Sequence, residues 1–222
     1  MTLEAARAAD ADAFARVARP LLLRQEAAHG LLLAILDGLE RGRWHRAERW
    51  WVRRAGRPVA LALRTPPHDP VLSDPGDADP QAVGHAVADA HLREGVRPGG
   101  VLGPDAVARA FAARWNEATG TRTEVRTRLR LHRLDAIEPV PTVPGAMRLT
   151  TREDRPLVRA WTAAFHREAT PDQPLDLDET VDHLLGPTVD LRLWEGCDGP
   201  VSMAAALGPT PNGVRISAVY TP

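Results

Sequence analysis

The sequence predicts an α/β protein of the α+β kind, built as two lobes whose mixed, mostly antiparallel sheets are flanked by helices. Three observations carry this reading. Stretches of helical apolar periodicity alternate with stretches of strand periodicity. The run Asp135-Ala136-Ile137-Glu138-Pro139-Val140-Pro141-Thr142-Val143-Pro144-Gly145 blocks both helix and ladder. It divides an N-terminal lobe, residues 1–135, from a C-terminal lobe, residues 146–222, with 136–145 as the linker. The same order, two helices and then three strands, occurs in both lobes, a hidden repeat.

The N-terminal lobe opens with two helices. Phe14, Val17, Ala18 and Leu21 share a face of the first, and Pro20 should kink or break it. Leu31, Leu32, Ile35, Leu36 and Leu39 form the apolar stripe of the second. Strands are expected near Ala47–Arg53, Val59–Leu63 and Pro70–Leu72. Asp79-Pro80 is a cap followed by a first-turn proline, opening a helix that carries Val83, Val87 and Ala90. A short strand at Val101-Leu102 precedes a helix that starts at Pro104, buries Val107, Ala108, Phe111 and Trp115, and stops at Gly120. The run Thr123–Leu134 alternates cleanly between Thr/Val/Leu and charged residues and predicts a strand.

The C-terminal lobe is expected to begin with a strand at Ala146–Leu149. Thr150 and Glu153 have capping-box spacing ahead of a helix with Leu157, Val158, Trp161, Ala164 and Phe165 on its core face. A second helix runs near Leu177–Leu185 and stops at Gly186-Pro187. A three-stranded meander follows, through the turns Gly196–Pro200 and Pro209–Gly213. Gly56-Arg57-Pro58-Val59 resembles Asp198-Gly199-Pro200-Val201 at the same turn of the two lobes.

Composition narrows the function classes. The chain has 222 residues, 44% hydrophobic and 26% charged, the balance of a globular protein. No apolar run of about 18 residues is present, so no membrane partner is expected. Met1-Thr2-Leu3-Glu4 lacks the basic-then-apolar pattern of a signal peptide, and the single cysteine, Cys197, offers no intramolecular disulfide. A cytoplasmic location follows as the expectation. The net charge is −1, and all 28 basic residues are arginine. A nucleic-acid partner usually calls for a basic excess. Trp44-His45-Arg46-Ala47-Glu48-Arg49-Trp50-Trp51-Val52-Arg53-Arg54 mixes arginine with three tryptophans, as a single-strand binder would, but Glu48 interrupts it and Trp50 and Trp51 point to opposite faces of a strand. Arg126, Arg128 and Arg130 read as a solvated strand face that discourages aggregation.

Gly-Pro-Val-Ser-Met-Ala at 199–204, Val-Tyr-Thr-Pro at 219–222, Leu102-Gly103-Pro104 and the Arg-Leu-Arg-Leu-His-Arg-Leu run at 128–134 carry a family resemblance. The chain resembles the GCN5-related N-acetyltransferases, in a bacterial subgroup where a degenerate N-terminal copy precedes a second copy. The resemblance implies acetyl-CoA as co-substrate and a small-molecule or peptide amine as acceptor. It implies that Val219, Tyr220 and Thr221 line the pantetheine arm, and that Phe165, Glu168 and Ser217 lie on the acceptor side. It also implies a second lobe that stops before the pyrophosphate loop, hence a chain incomplete and inactive alone and a homo-oligomer through an exposed last strand. The alternative is a non-catalytic relative acting as a binding or dimerisation module.

No catalytic acid or base is assigned, and no metal. His85 and His91 are six apart and share no helix face well. Ser202 has no nucleophile elbow around it, and Cys197 reads as a turn residue. Glu168 with its neighbour His166 reads more readily as the solvated end of a helix than as a group that holds an amine. In the N-terminal lobe, Leu72 to Pro80 replaces the pyrophosphate loop with aspartates and prolines. These repel anions and remove donors, so no cofactor is expected there.

Overall fold

The computed structural model describes residues 3–44, 46–139, 141–171 and 173–222, with the Pro209 side chain left aside. His45 of the tryptophan–arginine segment and Val140 of the proline-rich run lie outside the described residues. The chain divides into two compact units, Met1–Arg133 and Leu134–Pro222.

The first unit runs β1 (Leu3–Arg7), α1 (Ala11–Leu23), α2 (Gly30–Glu40), β2 (Glu48–Arg54), β3 (Arg57–Arg64), β4 (Val71–Leu72), α3 (Pro80–Arg93) and α4 (Asp105–Thr119). Its sheet has the order β1-β2-β3-β4, all antiparallel. Strand β1 was not expected. Its sequence, Leu-Glu-Ala-Ala-Arg, has helical propensity, and pairing with β2 overrides it. Val101-Leu102 is no strand but a single parallel bridge from Leu102 to Val71.

Helix boundaries follow their caps. The Asp10 carboxylate accepts from the backbone N–H of Asp12 and Ala13, opening α1. Asp79 does the same for Gln81 and Ala82 at α3. Gly120, at φ 70°, closes α4 in the left-handed region. Helix α1 does not break at Pro20. The proline falls in its last turn, where few ladder bonds remain to be lost. Val17 is 42% exposed and Leu22 takes its expected place in the core, while in α2 Leu33 is buried and Leu31 lies at the surface. In α4, Ala110 rather than Ala108 is buried.

Two cores sandwich this sheet. Trp51, Leu61 and Leu63 face α1 and α2, packing with Phe14, Leu22 and Leu36. Trp50, Val52, Ala60 and Ala62 face α3 and α4, packing with Val87, Val107 and Phe111. The alternating tryptophans therefore feed opposite cores, as strand geometry requires.

The second unit runs β5 (Ala146–Leu149), a 3-10 turn (Arg152–Asp154), α5 (Arg155–Ala169), α6 (Leu177–Leu184), β6 (Val189–Gly196), β7 (Gly199–Thr210) and β8 (Gly213–Tyr220). Its sheet is again antiparallel, in the order β5-β6-β7-β8. The capping box sits one residue later than expected, on Thr151 and Asp154. Arg148 grips that box: its guanidinium donates to both oxygens of Asp154 and to Glu195.

Thr123–Leu134 forms no strand. Its residues are exposed and irregular, and among the described residues no neighbouring strand takes up their N–H and C=O groups. The proline-rich run ends by docking on β6: Trp194 Nε1 donates to the Pro144 carbonyl at 3.2 Å. Gly145 follows at φ 115°, where a Cβ would stand 2.5 Å from Glu195 O.

The repeat is visible in the registers. In the first unit Glu4 stands opposite Arg53 and Arg53 opposite Pro58, with a bulge that skips Val59. In the second, Ala146 stands opposite Glu195 and Glu195 opposite Pro200, with a bulge that skips Val201. The sequence similarity at Gly56–Val59 and Asp198–Val201 thus marks the same bulged hairpin.

Candidate functional site

Strand β8 carries Ser217, Val219 and Tyr220 of the residues expected to form the site. Residues directly opposite in an antiparallel ladder share a face. Arg215 stands opposite Leu207 and Ser217 opposite Ala205. Leu207 and Ala205 belong to the core under α5 and α6, so Arg215 and Ser217 point to that helical side. Strict alternation would then send Tyr220 to the far side. It does not, because the ladder shifts between Met203 and Ala205, and Ala218 sits at φ 49°. This bulge adds one residue to β8 and returns Tyr220 to the helical side, opposite Met203. Val219, 59% exposed, goes to the far side with Val214 and Ile216.

Tyr220 meets α5 there. Trp161, Phe165 and Glu168 lie at helical spacing on one face of that helix. The Tyr220 ring packs edge-on against Trp161 and Phe165, each at 6.3 Å between centroids. Its hydroxyl donates to Glu168 Oε1 at 3.0 Å. Burial, and next that hydrogen bond, raise the phenol above its ordinary value. Glu168 itself is at the exposed end of α5, so its carboxylate bridges solvent and the tyrosine.

Of the residues expected to form the site, Phe165, Glu168 and Tyr220 are therefore in one cluster, and Ser217 shares their face. The side chains of Val219 and Thr221 are outside the cluster and exposed. His166 turns aside to Thr170, Cys197 is an exposed thiol, and Ser202 stands opposite Trp194 on the far face. Sequence reasoning missed Arg215. The alternation Arg215-x-Ser217 on a strand was the available signal, hidden because the bulge that aligns it with Tyr220 has no glycine to announce it. Burial lowers the Arg215 guanidinium from its ordinary value, and its Nε is buried without a hydrogen-bond partner.

The same place in the first unit is closed. Ser73 stands where Tyr220 stands in the second: its N–H donates to Leu61 O and its hydroxyl accepts from Leu61 N. Asp74 N–H donates to His29 Nε2 at 2.9 Å, while His29 Nδ1 donates to Leu22 O at 2.8 Å. Gly76 N–H goes to Asp74, and the first N–H groups of α3 go to Asp79. The donors that a helix N-terminus could offer an anion are taken by the chain's own carboxylates.

Two open concavities, of about 380 and 610 Å³, lie along α3/α4 and α1/α2 of the first unit. Both are shallow helix surface, and neither includes the Tyr220 cluster. Among the described residues no group of three or more His, Cys, Asp or Glu is placed to hold a metal ion, and no helix is long and apolar enough to cross a membrane. Compared with known proteins, the sequence matches no family model and no curated protein.

Proposed function

We propose that the chain is the scaffold of an acetyl-CoA-dependent N-acetyltransferase whose working face is β8 and α5 of the second unit. The observation that carries this is the bulge at Ala218 on an edge strand. Edge strands have unpaired N–H and C=O groups along one side, and a bulge widens the gap to whatever lies beside them. A pantetheine arm is a short run of amides and would pair there as an added strand does. Val219, Tyr220 and Thr221 would supply those backbone groups, consistent with the exposed side chains of Val219 and Thr221, which leave the cluster.

On the helical side, Glu168 and the Tyr220 hydroxyl would hold the acceptor amine. Acyl transfer forms a C–N bond at the thioester carbonyl and breaks its C–S bond. The amine loses one proton and the departing thiolate gains one. A hydrogen-bonded carboxylate and phenol are suited to hold and pass that proton. The first unit would serve as a partner of the fold without a cofactor of its own, because its donors are internally satisfied.

A second reading has its own support. The face of the second sheet away from α5 and α6 carries Met147, Leu149, Val214, Ile216 and Val219, all more than half exposed. Apolar faces of this kind mark association, which favours a binding or dimerisation module.

One experiment separates the two: calorimetric titration of the whole chain with acetyl-CoA, beside sedimentation at several concentrations. The acetyltransferase reading expects micromolar binding that weakens at least tenfold when Ala218 is deleted, since the deletion straightens β8. Equal binding by both forms would overturn the role of the bulge. Absent binding together with concentration-dependent association would favour the second reading.

A further inference from the structure

We propose that Arg215 is the anion-recognition residue of this face, so that the acceptor is an amine that also bears a carboxylate. The inference rests on the acetyltransferase reading and deepens it. Arg215 and Ser217 are two residues apart on the helical side of β8, roughly 7 Å along the strand. Tyr220, brought to the same side by the bulge, presents the Glu168 carboxylate. The face is therefore bipolar, with an anion at the Tyr220 end and a cation at the other.

The Arg215 Nε lacks an internal acceptor among the described residues. Burial is what acts on its charge, and among the described residues no carboxylate pairs with it. Arginines elsewhere in the unit behave differently: Arg148 binds Asp154 and Glu195, Arg159 binds Asp178, and Arg192 binds Asp190. A guanidinium keeps its charge under all ordinary conditions, and a desolvated charge without a partner is destabilising. A ligand carboxylate supplies the missing acceptor, and the planar fork of arginine suits it. Glu168 takes the ammonium end of the same molecule.

The test uses the full chain and a matched pair of probes, ε-aminocaproate and its neutral amide, with binding followed by calorimetry and by the arginine Nε–H signals in nitrogen-15 NMR. The expected result is at least tenfold tighter binding of the carboxylate and movement of the one Nε–H signal that disappears in Arg215→Met. That variant keeps the aliphatic stem, should melt no lower than the parent because a buried unpaired charge has gone, and should bind both probes alike. Arg215→Lys should recover part of the preference. Equal affinity for both probes, or a carboxylate preference that survives in Arg215→Met, would overturn the proposal. The outcome is separable from the acetyl-CoA titration. Cofactor binding without carboxylate preference defeats this inference alone, and carboxylate preference without cofactor binding defeats the acetyltransferase reading while the anion site stands.

Discussion

The two units start from one plan and finish it differently. Up to the third strand their registers correspond, including the bulge after Val52 and after Trp194. Beyond it, the first unit makes a two-residue β4 and lays α3 and α4 across the sheet. The second makes an eight-residue β8, with a bulge and a bare far face. The residues follow the cover. Trp50, Val52 and Ala60 lie under α3 and α4, and the matching positions of the second unit are Arg192, Trp194 and Ser202. A position has no fixed chemistry in such a repeat; what packs on it decides. In the unit with the covered sheet, the N–H groups of Gly76, Gln81 and Ala82 go to Asp74 and Asp79. In the other, β8 is the last strand of the sheet order, and the Arg215 Nε is buried without a hydrogen-bond partner among the described residues.

The sharpest way to break this comparison is a matched pair of substitutions. Trp50→Ala should destabilise the first unit by about 3–5 kcal/mol, since it empties a fully covered site stacked on His91. Arg192→Ala, at the equivalent position, should leave the second unit's stability unchanged within error, because its exposed pair with Asp190 stands on a bare face. Hydrogen exchange resolved by unit is the measurement, since a chain of two units need not unfold in one step. A large loss at Arg192 would mean that the far face of the second sheet is covered in solution.

The same difference explains what the sequence could disclose. Helix ends with a local cap signal were legible to within a residue or so, as at the Asp79 side chain and the left-handed Gly120, because cap chemistry is local. So were the alternating Trp50 and Trp51, because pleating is local too. Strand β1 was invisible, since Leu3–Arg7 is a strand only through β2. Thr123–Leu134 failed in the opposite sense: a clean alternation predicts a strand, yet a strand needs a neighbour. Around Tyr220, the shared face of Phe165 and Glu168 on one helix was readable from helical spacing. Arg215 was not, because its alignment with Tyr220 depends on a left-handed alanine at position 218.

Acid should separate the units next. His91 is buried between Trp50 and Phe111, its Nδ1 facing the Val87 carbonyl and its Nε2 without a partner. Burial lowers its affinity for a proton below the ordinary value of 6.5. The unfolded chain then binds a proton that the folded chain refuses. The His91 contribution is thus fully present above pH 6.5 and is lost as pH falls below it. In the second unit the Arg148 guanidinium, the largest cause, holds the Asp154 carboxyl down to about 2. That contribution is present above the ordinary 3.8 and is lost only as pH falls from there toward 2. Lowering pH from 7 to 5 should therefore weaken the first unit and spare the second, as followed by exchange in each. His91→Phe, which keeps the ring stack, should flatten the first unit's response; an unchanged response would place the titration elsewhere.

The smallest effect tests the hairpin that the units share. In the first unit the turn is Ala55-Gly56, with both residues at positive φ, 49° and 77°. Two left-handed residues in a two-residue loop suit Asn-Gly, and alanine there is strained by roughly 1 kcal/mol. Ala55→Asn should stabilise the first unit by up to about 1 kcal/mol without altering the bulge at Val59. Cys197, at the matching place in the second unit, is not among the residues with positive φ, so Cys197→Asn should bring no gain. Denaturation of the two variants measures the difference. Stabilisation at both turns would mean that the hairpins share their turn as well as their register, and that the units diverge only after the third strand.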